Sequence, residues 1–544
     1  MKKALFFILI SNLLFSQWSI SSAERDALLY IYNTTGGEKW NRTWDTTTDP
    51  KNWFGVSVKN NSVTELNLSG NALQGTFPST ISTLSKLTKL DLSNNQLSGE
   101  VANGISSLSA LKRLDVSNNR LTGNPSFAFS GLYNLEDLGI GGNTFIINDI
   151  NGLLANFNNL KNLNIAGLGL SSVPSKITAF VNLENLTLDN NSLSANGFNS
   201  LPALSQLKSL SLSGNGLIQI PAQVLQLTGL TSLDLSHNNI PAEKLASLAN
   251  LLNLQWLSLE DNQLTQIPSQ LAQMRNLQTL NLGRNKISGN LSALTGLPKL
   301  QQLFLNNNNF SGNFPQELSA MPQLMMLNLN SNRLSGNLPS QLPEILLISN
   351  NRFTKEQLSN RITNYPEQTE LSYSPQRYDE EKQVLGILGQ SAKLEQSLSG
   401  DQYNFTWYKN LDENTGNSGS GLHFNSVQQS DYATYTVEAY TSTVLGNAVR
   451  FDLSQFREPI RLVDQLGTTE TSKYFSVYPN PAADYLYIIS SKYEIQKIYI
   501  YDLSGKQIIT DSGSKINVAK LPTGVYMLNI KTKDGIVNFK FIKK

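Results

Sequence analysis

Leu87-Thr-Lys-Leu90-Asp-Leu92-Ser-Asn-Asn95 returns, with its fixed positions kept and the rest varied, as Leu277-Gln-Thr-Leu280-Asn-Leu282-Gly-Arg-Asn285. The phrase is L-x-x-L-x-L-x-x-N. It recurs about every 23 to 24 residues from Val63 to about Pro366, a period that marks a stacked repeat architecture. Its first half reads as a short strand. Side chains of a strand alternate between faces, so Leu90 and Leu92 point inward while Asp91 between them points out. One repeat cannot bury its leucines alone, whereas a stack forms one continuous core with a ribbon of outward positions along one side.

The register holds with few breaks. Repeats open at Val63, Leu87, Leu111, Leu135, Leu160, Leu183, Leu207, Leu230, Leu254, Leu277, Leu300 and Leu324, and a degraded last copy carries Leu346, Ile348 and Asn351. That makes about thirteen turns. A closing Asn ends nearly every phrase, and a buried column of amides, each both donor and acceptor, can satisfy the backbone where the chain leaves each strand. Repeat five carries Leu168 in place of the Asn. A local loosening is expected there, since a Leu cannot supply those hydrogen bonds.

Several repeats continue as L-x-G-x-x-P: Leu73-Gln-Gly75-Thr-Phe-Pro78, Phe310-Ser-Gly312-Asn-Phe-Pro315 and Leu334-Ser-Gly336-Asn-Leu-Pro339. The chain thereby resembles the plant-type subclass of the leucine-rich repeat family. Middle repeats depart through a shorter L-x-x-[IV]-P link, as at Leu170-Ser-Ser-Val-Pro174, Leu217-Ile-Gln-Ile-Pro221 and Leu264-Thr-Gln-Ile-Pro268. The resemblance implies a right-handed, curved α/β solenoid over residues 63–366. It further implies recognition of proteins or glycans through the concave face, and rarely catalysis. The ligand is left open, because fold does not fix function.

The outward positions can be read by row. Early rows are charged with mixed sign and include Glu65, Lys89, Asp91, Arg113, Asp115 and Asp137; middle rows are small and polar; later rows carry Trp256, Glu260, Gln302, Phe304, Met326 and Asn328. Trp256 and Phe304 lie two repeats apart, about 10 Å at ordinary strand spacing. Large apolar side chains on an otherwise polar surface have the makings of a binding hot spot. Trp256, Glu260, Gln302, Phe304, Met326 and Asn328, with Arg113 and Asp115 as the charged early set, are therefore the candidate ligand contacts. Single exposed aromatics are also ordinary on protein surfaces, and mixed-sign charge ordinarily serves solubility.

Composition excludes several chemistries. There is no Cys, so neither a disulfide framework nor thiol chemistry is available. The two histidines, His237 and His423, are too far apart in sequence to suggest a shared site, which disfavours zinc and histidine-based catalysis. No catalytic residues, metal ligands or cofactors are expected. A net charge of +1 gives no reason to expect nucleic acid or an anionic membrane as partner. No apolar stretch of about 20 residues follows the repeats, which disfavours transmembrane signalling in cis; no transmembrane partner is expected.

The ends carry the routing. Met1-Lys-Lys, the apolar run Ala4 to Phe15 and Ser21-Ser-Ala23 read as a secretory signal peptide over residues 1–23, too short to span a bilayer by itself. Cleavage near Ser16 or Gln17 is the other reading. Residues 24–62 form a cap: Ser21-Ser-Ala-Glu24 is a helix capping box that a cut after Ala23 would remove. Trp53-Phe-Gly-Val56 resembles the W-x-G-V caps that precede such repeats. Trp40, Trp44 and Trp53 either cover the solenoid end or present a sugar platform.

Beyond Glu367 the period is lost. Phe405-Thr-Trp407-Tyr-Lys409 and Asp431-Tyr-Ala-Thr-Tyr435-Thr-Val437 resemble an immunoglobulin-like sandwich over residues 377–463. Trp407 would be its core tryptophan, Tyr435 its corner tyrosine, and the apolar Val437 and Leu394 would stand at the disulfide positions. A polar linker, Gln465 to Ser472, precedes residues 473–544. There Val477-Tyr-Pro479-Asn480-Pro481, Ile498-Tyr-Ile-Tyr-Asp502-Leu-Ser-Gly505-Lys506, Leu521-Pro522-Thr-Gly524-Val-Tyr526 and Phe539-Lys-Phe-Ile-Lys-Lys544 follow in order. Alternating strands with Gly-containing turns make a second small all-β sandwich. Together these segments resemble the carboxy-terminal sorting domain of type IX secretion substrates in the Bacteroidota. The resemblance implies that Tyr478 to Lys544 engages the type IX machinery and that the protein is secreted or displayed on the cell surface. The expected function is non-enzymatic recognition of an extracellular protein or glycan, used in adhesion. Inhibition of, or accessory service to, an extracellular enzyme is the alternative.

Overall fold

The computed structural model describes residues 18–194, 196–321, 323–339, 341–362, 370–445, 450–463, 475–490, 493–502, 506–532 and 535–544. The apolar run Ala4 to Phe15, Tyr365-Pro366, the linker Gln465 to Ser472 and the Leu503–Gly505 turn lie outside them. The fold divides between Tyr373 and Ser374 into two units.

A sheet of 15 strands runs through the first unit in sequence order. Val56–Lys59 pairs antiparallel with Ser62–Asn67, and every later strand adds parallel. The parallel order follows from the repeat: each copy leaves its strand, returns along the other side and enters the sheet in the same direction. Middle leucines face each other across rows, Leu90 beside Leu114 and Leu186 beside Leu210, and these four are at most 1% exposed. Short 3₁₀ turns such as Ser79–Thr83 and Ser269–Gln273 make most of the return. The sheet continues past the last leucine phrase to Glu370–Ser372, which pairs with Ile345–Leu347.

The two link types build different edges. Most repeats with L-x-G or its close variants add secondary parallel ribbons, Gln74–Thr76 with Gln96–Glu100 and Arg120–Thr122, and Ser311–Asn313 with Arg333–Ser335, whereas Ile287-Ser-Gly289 adds none among the described residues. Repeats with the shorter link show none among the described residues. The glycine of this phrase is left-handed, with φ +92° at Gly75, +82° at Gly312 and +78° at Gly336; at Gly75 alone of these a Cβ would also stand 2.5 Å from the Thr34 carbonyl oxygen.

The asparagine column is buried throughout. Asn95 Nδ2 donates to the carbonyls of Leu68 (2.8 Å), Leu92 (3.0 Å) and Ser93 (3.0 Å), and its Oδ1 accepts from the amides of Asn71 (3.1 Å) and Leu73 (2.9 Å). Just before the amide the chain is in the left-handed region, with glycine at some rows, as at Gly142 (φ 66°), and a non-glycine residue at others: φ is 56° at Asn94, 53° at His237 and 54° at Arg284. At repeat five the strand Asn162–Asn164 still pairs with both neighbours, so the sheet is continuous and only the amide is missing. Leu168 is partly buried there, and its own amide donates to Asn191 Oδ1 at 3.1 Å. A second gap is not announced by the sequence: Asn215 Oδ1 is buried without a partner. Completing the first gap with Leu168→Asn is expected to raise stability by about 1 kcal/mol, read as a higher urea midpoint; a lower midpoint would show that the row has repacked around leucine.

The cap covers the open end with aromatic side chains. Trp40, Trp44 and Trp53 are all buried, with Trp44 stacked on Trp53 at 4.8 Å and edge-on to Trp40 at 4.9 Å. Burial leaves no tryptophan face for a sugar, so the platform alternative is set aside. The helix Ser22–Thr34 is N-capped by Ser21, whose capping box with Glu24 is complete.

In the second unit, Gln376–Tyr378, Arg450–Arg457, Thr434–Val444, Asn404–Lys409 and Glu413–Asn414 run through one sheet, and Ala392–Glu395 with Gly421–Phe424 form another. Trp407, Tyr435, Val437 and Leu394 share one buried cluster. Trp407 Nε1 donates to the Gly419 carbonyl at 2.9 Å, and the Tyr435 hydroxyl to the Asp431 carbonyl at 2.8 Å. The carboxy-terminal strands make a three-stranded sheet, Phe475–Tyr478, Tyr485–Ser490 and Lys515–Asn517, and a four-stranded antiparallel one ending at Gly535–Lys543. Leu486, Ile498, Leu528 and Phe541 lie in its core.

Candidate ligand-binding face

Strand alternation fixes what the long sheet presents. In each three-residue strand the central leucine is buried, and the flanking positions form two outward columns. One column runs Trp256, Thr279, Gln302, Met326, Ile345 through paired registers; the other runs Ser258, Asn281, Phe304, Asn328, Leu347.

These registers bring Gln302, Phe304, Met326 and Asn328 together on adjacent strands. Trp256 stands one strand further off, across Thr279–Asn281, between the small neighbours Ser232 and Thr279. Gln302 is exposed, and Trp256, Phe304, Met326 and Asn328 are partly buried. Glu260 lies just past its strand and accepts from Asn281 Nδ2 at 2.9 Å. Two further apolar side chains belong to this region and were not read from the sequence: Ile345 and Leu347 are outward and partly exposed, beside Met326 and Asn328. The alternation Leu346, Ile348 in the degraded last repeat was the available signal.

Arg113 and Asp115 are not part of that cluster, because five strands intervene before Trp256. Arg113 pairs with Asp91 at 3.0 Å and approaches Asp115 at 3.7 Å, while Lys89 pairs with Glu65 at 3.1 Å. Asp115 also accepts from Ser117 Oγ at 2.6 Å. The early charges thus answer one another from row to row. A hollow of about 140 Å³ opens beside them, lined by Arg113, Asp115, Asp137, Gly139, Asn162 and Asn164 among others. Gly139 makes the room: a Cβ there would lie 2.4 Å from Asp115 Oδ1. Further along, burial raises the Asp189 carboxyl above its ordinary pKa, against the opposing hydrogen bonds from Ser211 and Ser213. His237 is on the exposed turn edge, its Nδ1 2.9 Å from Asp261 Oδ2. Among the described residues no group of three or more His, Asp or Glu is placed to hold a metal, and no helix is long and apolar enough to cross a membrane.

Residues 476–544 match the family described as a secretion system C-terminal sorting domain. Leucine-rich repeat families match residues 61–121, 226–243, 252–297 and 275–320. No curated protein matches the chain in sequence. Among solved structures it is similar to an internalin of Listeria monocytogenes, with 26% identity, 51% of this chain and 86% of that one covered, and a TM-score of 0.39. It is also similar to the HAESA receptor kinase ectodomain of Arabidopsis, with 28% identity, a TM-score of 0.44 and 66% of this chain covered; the match spans 58% of that ectodomain. A leucine-rich repeat protein of Leptospira interrogans shares 25% identity, with 56% of this chain and 89% of that one covered and a TM-score of 0.40. The chain is a leucine-rich repeat protein with a type IX sorting domain, which indicates secretion to the cell surface or the medium. Both kinds of domain are typically non-enzymatic, and leucine-rich repeats typically bind proteins.

Proposed function

We propose that this secreted leucine-rich repeat protein binds an extracellular protein on the concave face of its long sheet, around Trp256, Phe304 and Met326, and serves in adhesion. The observation that carries the reading is the group of outward apolar side chains on neighbouring strands, Phe304, Met326, Ile345 and Leu347, with Trp256 nearby, on a sheet face whose other outward positions are mostly polar or charged. Apolar anchors in a polar surround concentrate binding energy. A face made of strands on a packed core is already ordered, so binding costs little backbone ordering on this side of the interface.

Residues 377–463 are read as an immunoglobulin-like spacer. Support comes from the buried Trp407 and from the Tyr435 hydroxyl turned back to Asp431, the arrangement of a tyrosine corner. The domain limits 63–366 and 473–544 are proposed on the same footing, with the cap ending at residue 62.

The test is capture by the mature secreted protein from a set of extracellular proteins and from a glycan panel, beside a Trp256→Ala, Phe304→Ala double variant. Capture of a protein is expected, with affinity falling at least about tenfold in the double variant. Arg113→Ala is expected to leave it within about threefold, in keeping with the small effect of a rim charge. Capture that survives the double variant and is lost with Arg113→Ala would move the site to the early rows. Capture of glycans alone would replace the protein ligand.

A further inference from the structure

We infer that the secretory leader is cut upstream of Trp18, at the Ser16–Gln17 bond, and that Trp18 to Ala23 belongs to the mature cap. The inference rests on the secretory leader read at Met1 to Phe15. Hydrolysis of that amide takes up a water and leaves a carboxyl on Ser16 and an amine on Gln17.

The small-residue run Ser21-Ser-Ala23 has two readings in the sequence, a peptidase site or the start of a helix, and its contacts favour the second. Ser21 is the N-cap of Ser22–Thr34: its Oγ accepts from the Glu24 amide at 3.3 Å, and its own amide donates to Glu24 Oε2 at 3.4 Å. Glu24 is 6% exposed and holds more than the cap, because its Oε1 accepts from the amide of Val63, which opens the first repeat, at 3.1 Å. A cut after Ala23 would remove the capping oxygen and put a charged amine on the buried Glu24.

The residues before the cap are fitted to the same surface. Ile20 is 6% exposed. The Ser19 amide donates to Asp49 Oδ2 at 3.1 Å, and its hydroxyl donates to the other carboxylate oxygen. The Arg25 guanidinium lies 4.3 Å from the Trp18 ring centroid and 6.0 Å from that of Trp53, and donates to the Thr46 carbonyl at 2.9 Å. Trp18 thus lays a cation–π contact over the aromatic cover of the solenoid end. Peptidase acts on an unfolded chain, so these contacts do not block a cut after Ala23. They are what such a cut would discard. Of the bonds upstream, Ser16–Gln17 offers a small residue on its amino side, as the peptidase requires.

The experiment is tryptic mass spectrometry of the protein recovered from the medium or cell surface. The expected amino-terminal peptide starts at Gln17 and ends at Arg25. A first residue anywhere from Ser19 to Glu24 would overturn the cut position while leaving the leader reading intact; recovery of Met1 in the exported protein would overturn the leader itself. Ala23→Gln supplies an independent arm, because Ala23 is exposed in the first helical turn and glutamine there leaves the fold alone but spoils a cut after residue 23. Unchanged export and an unchanged first residue are expected; uncut precursor would overturn the inference. Purified mature chains starting at Gln17 and at Glu24 should differ in melting, the shorter one unfolding earlier, whereas equal melting would mean that residues 17–23 do nothing in the cap.

Discussion

Deleting residues 476–544 is expected to abolish appearance of the protein outside the cell while the remainder accumulates, folded, in the periplasm. The deleted strands have a core of their own, with Leu486, Ile498, Leu528 and Phe541 each fully buried, and the long sheet ends at Ser372 without them. The loss should therefore be one of routing and not of folding. Cell fractionation with a protease-accessibility assay reads the result. Phe541→Asp is expected to give the same retention, since it places a charge against Tyr526, whose ring lies 5.6 Å away, in an apolar core that cannot solvate it. Normal display of the deleted chain would show that the match over residues 476–544 does not govern export here.

The second large effect is in the ladder. Asn285→Leu should cost about 3–5 kcal/mol, because it strands several buried backbone groups, each worth about 1–3 kcal/mol when left unsatisfied. Asn285 Nδ2 donates to the carbonyls of Leu259 (2.9 Å), Leu282 (3.1 Å) and Gly283 (3.0 Å), and Oδ1 accepts from the amides of Asn262 and Leu264, both at 3.1 Å. Repeats contact only their neighbours, so hydrogen exchange should quicken around residues 259–285 before the far rows respond. Urea denaturation gives the magnitude, and a change under about 1 kcal/mol would contradict a structural role for the amides. Leu168→Asn is the opposite experiment at the one row that lacks the group. A loss at residue 285 with a gain at residue 168 would separate the hydrogen bonds from mere tolerance of polarity in the column.

What could be read in the sequence was whatever repeats. Leu90 and Leu92 face inward because strand alternation leaves them no other place, and the same phase, copied along the chain, puts Trp256 and Phe304 on the outward side. Trp407 and Tyr435 were legible for a different reason: a large buried ring and a hydroxyl that must find a carbonyl are recognisable from their flanking residues. Features that depend on a departure from the repeat were harder. Ile345 and Leu347 sit in a copy whose leucine phrase is degraded, so their outward position had to come from pairing with Met326–Asn328. The hollow at Gly139 exists through a missing side chain, and a glycine in a strand does not say which neighbour needs the space. Asn215 is the same residue as its fellows in the column, yet its Oδ1 has no donor, and nothing in its own phrase marks the difference. Ser21-Ser-Ala23 was ambiguous in principle, since peptidase sites and helix starts both favour small residues.

The concave-face claim meets its most direct test in hydroxyl-radical footprinting of the mature protein with and without its captured partner. Protection is expected at Trp256, Phe304 and Met326, with Phe127 and Tyr133, which are 67% and 59% exposed and lie outside the strands of the long sheet, unchanged. Protection at Phe127 and Tyr133 with Trp256 and Met326 unaltered would contradict recognition on this face.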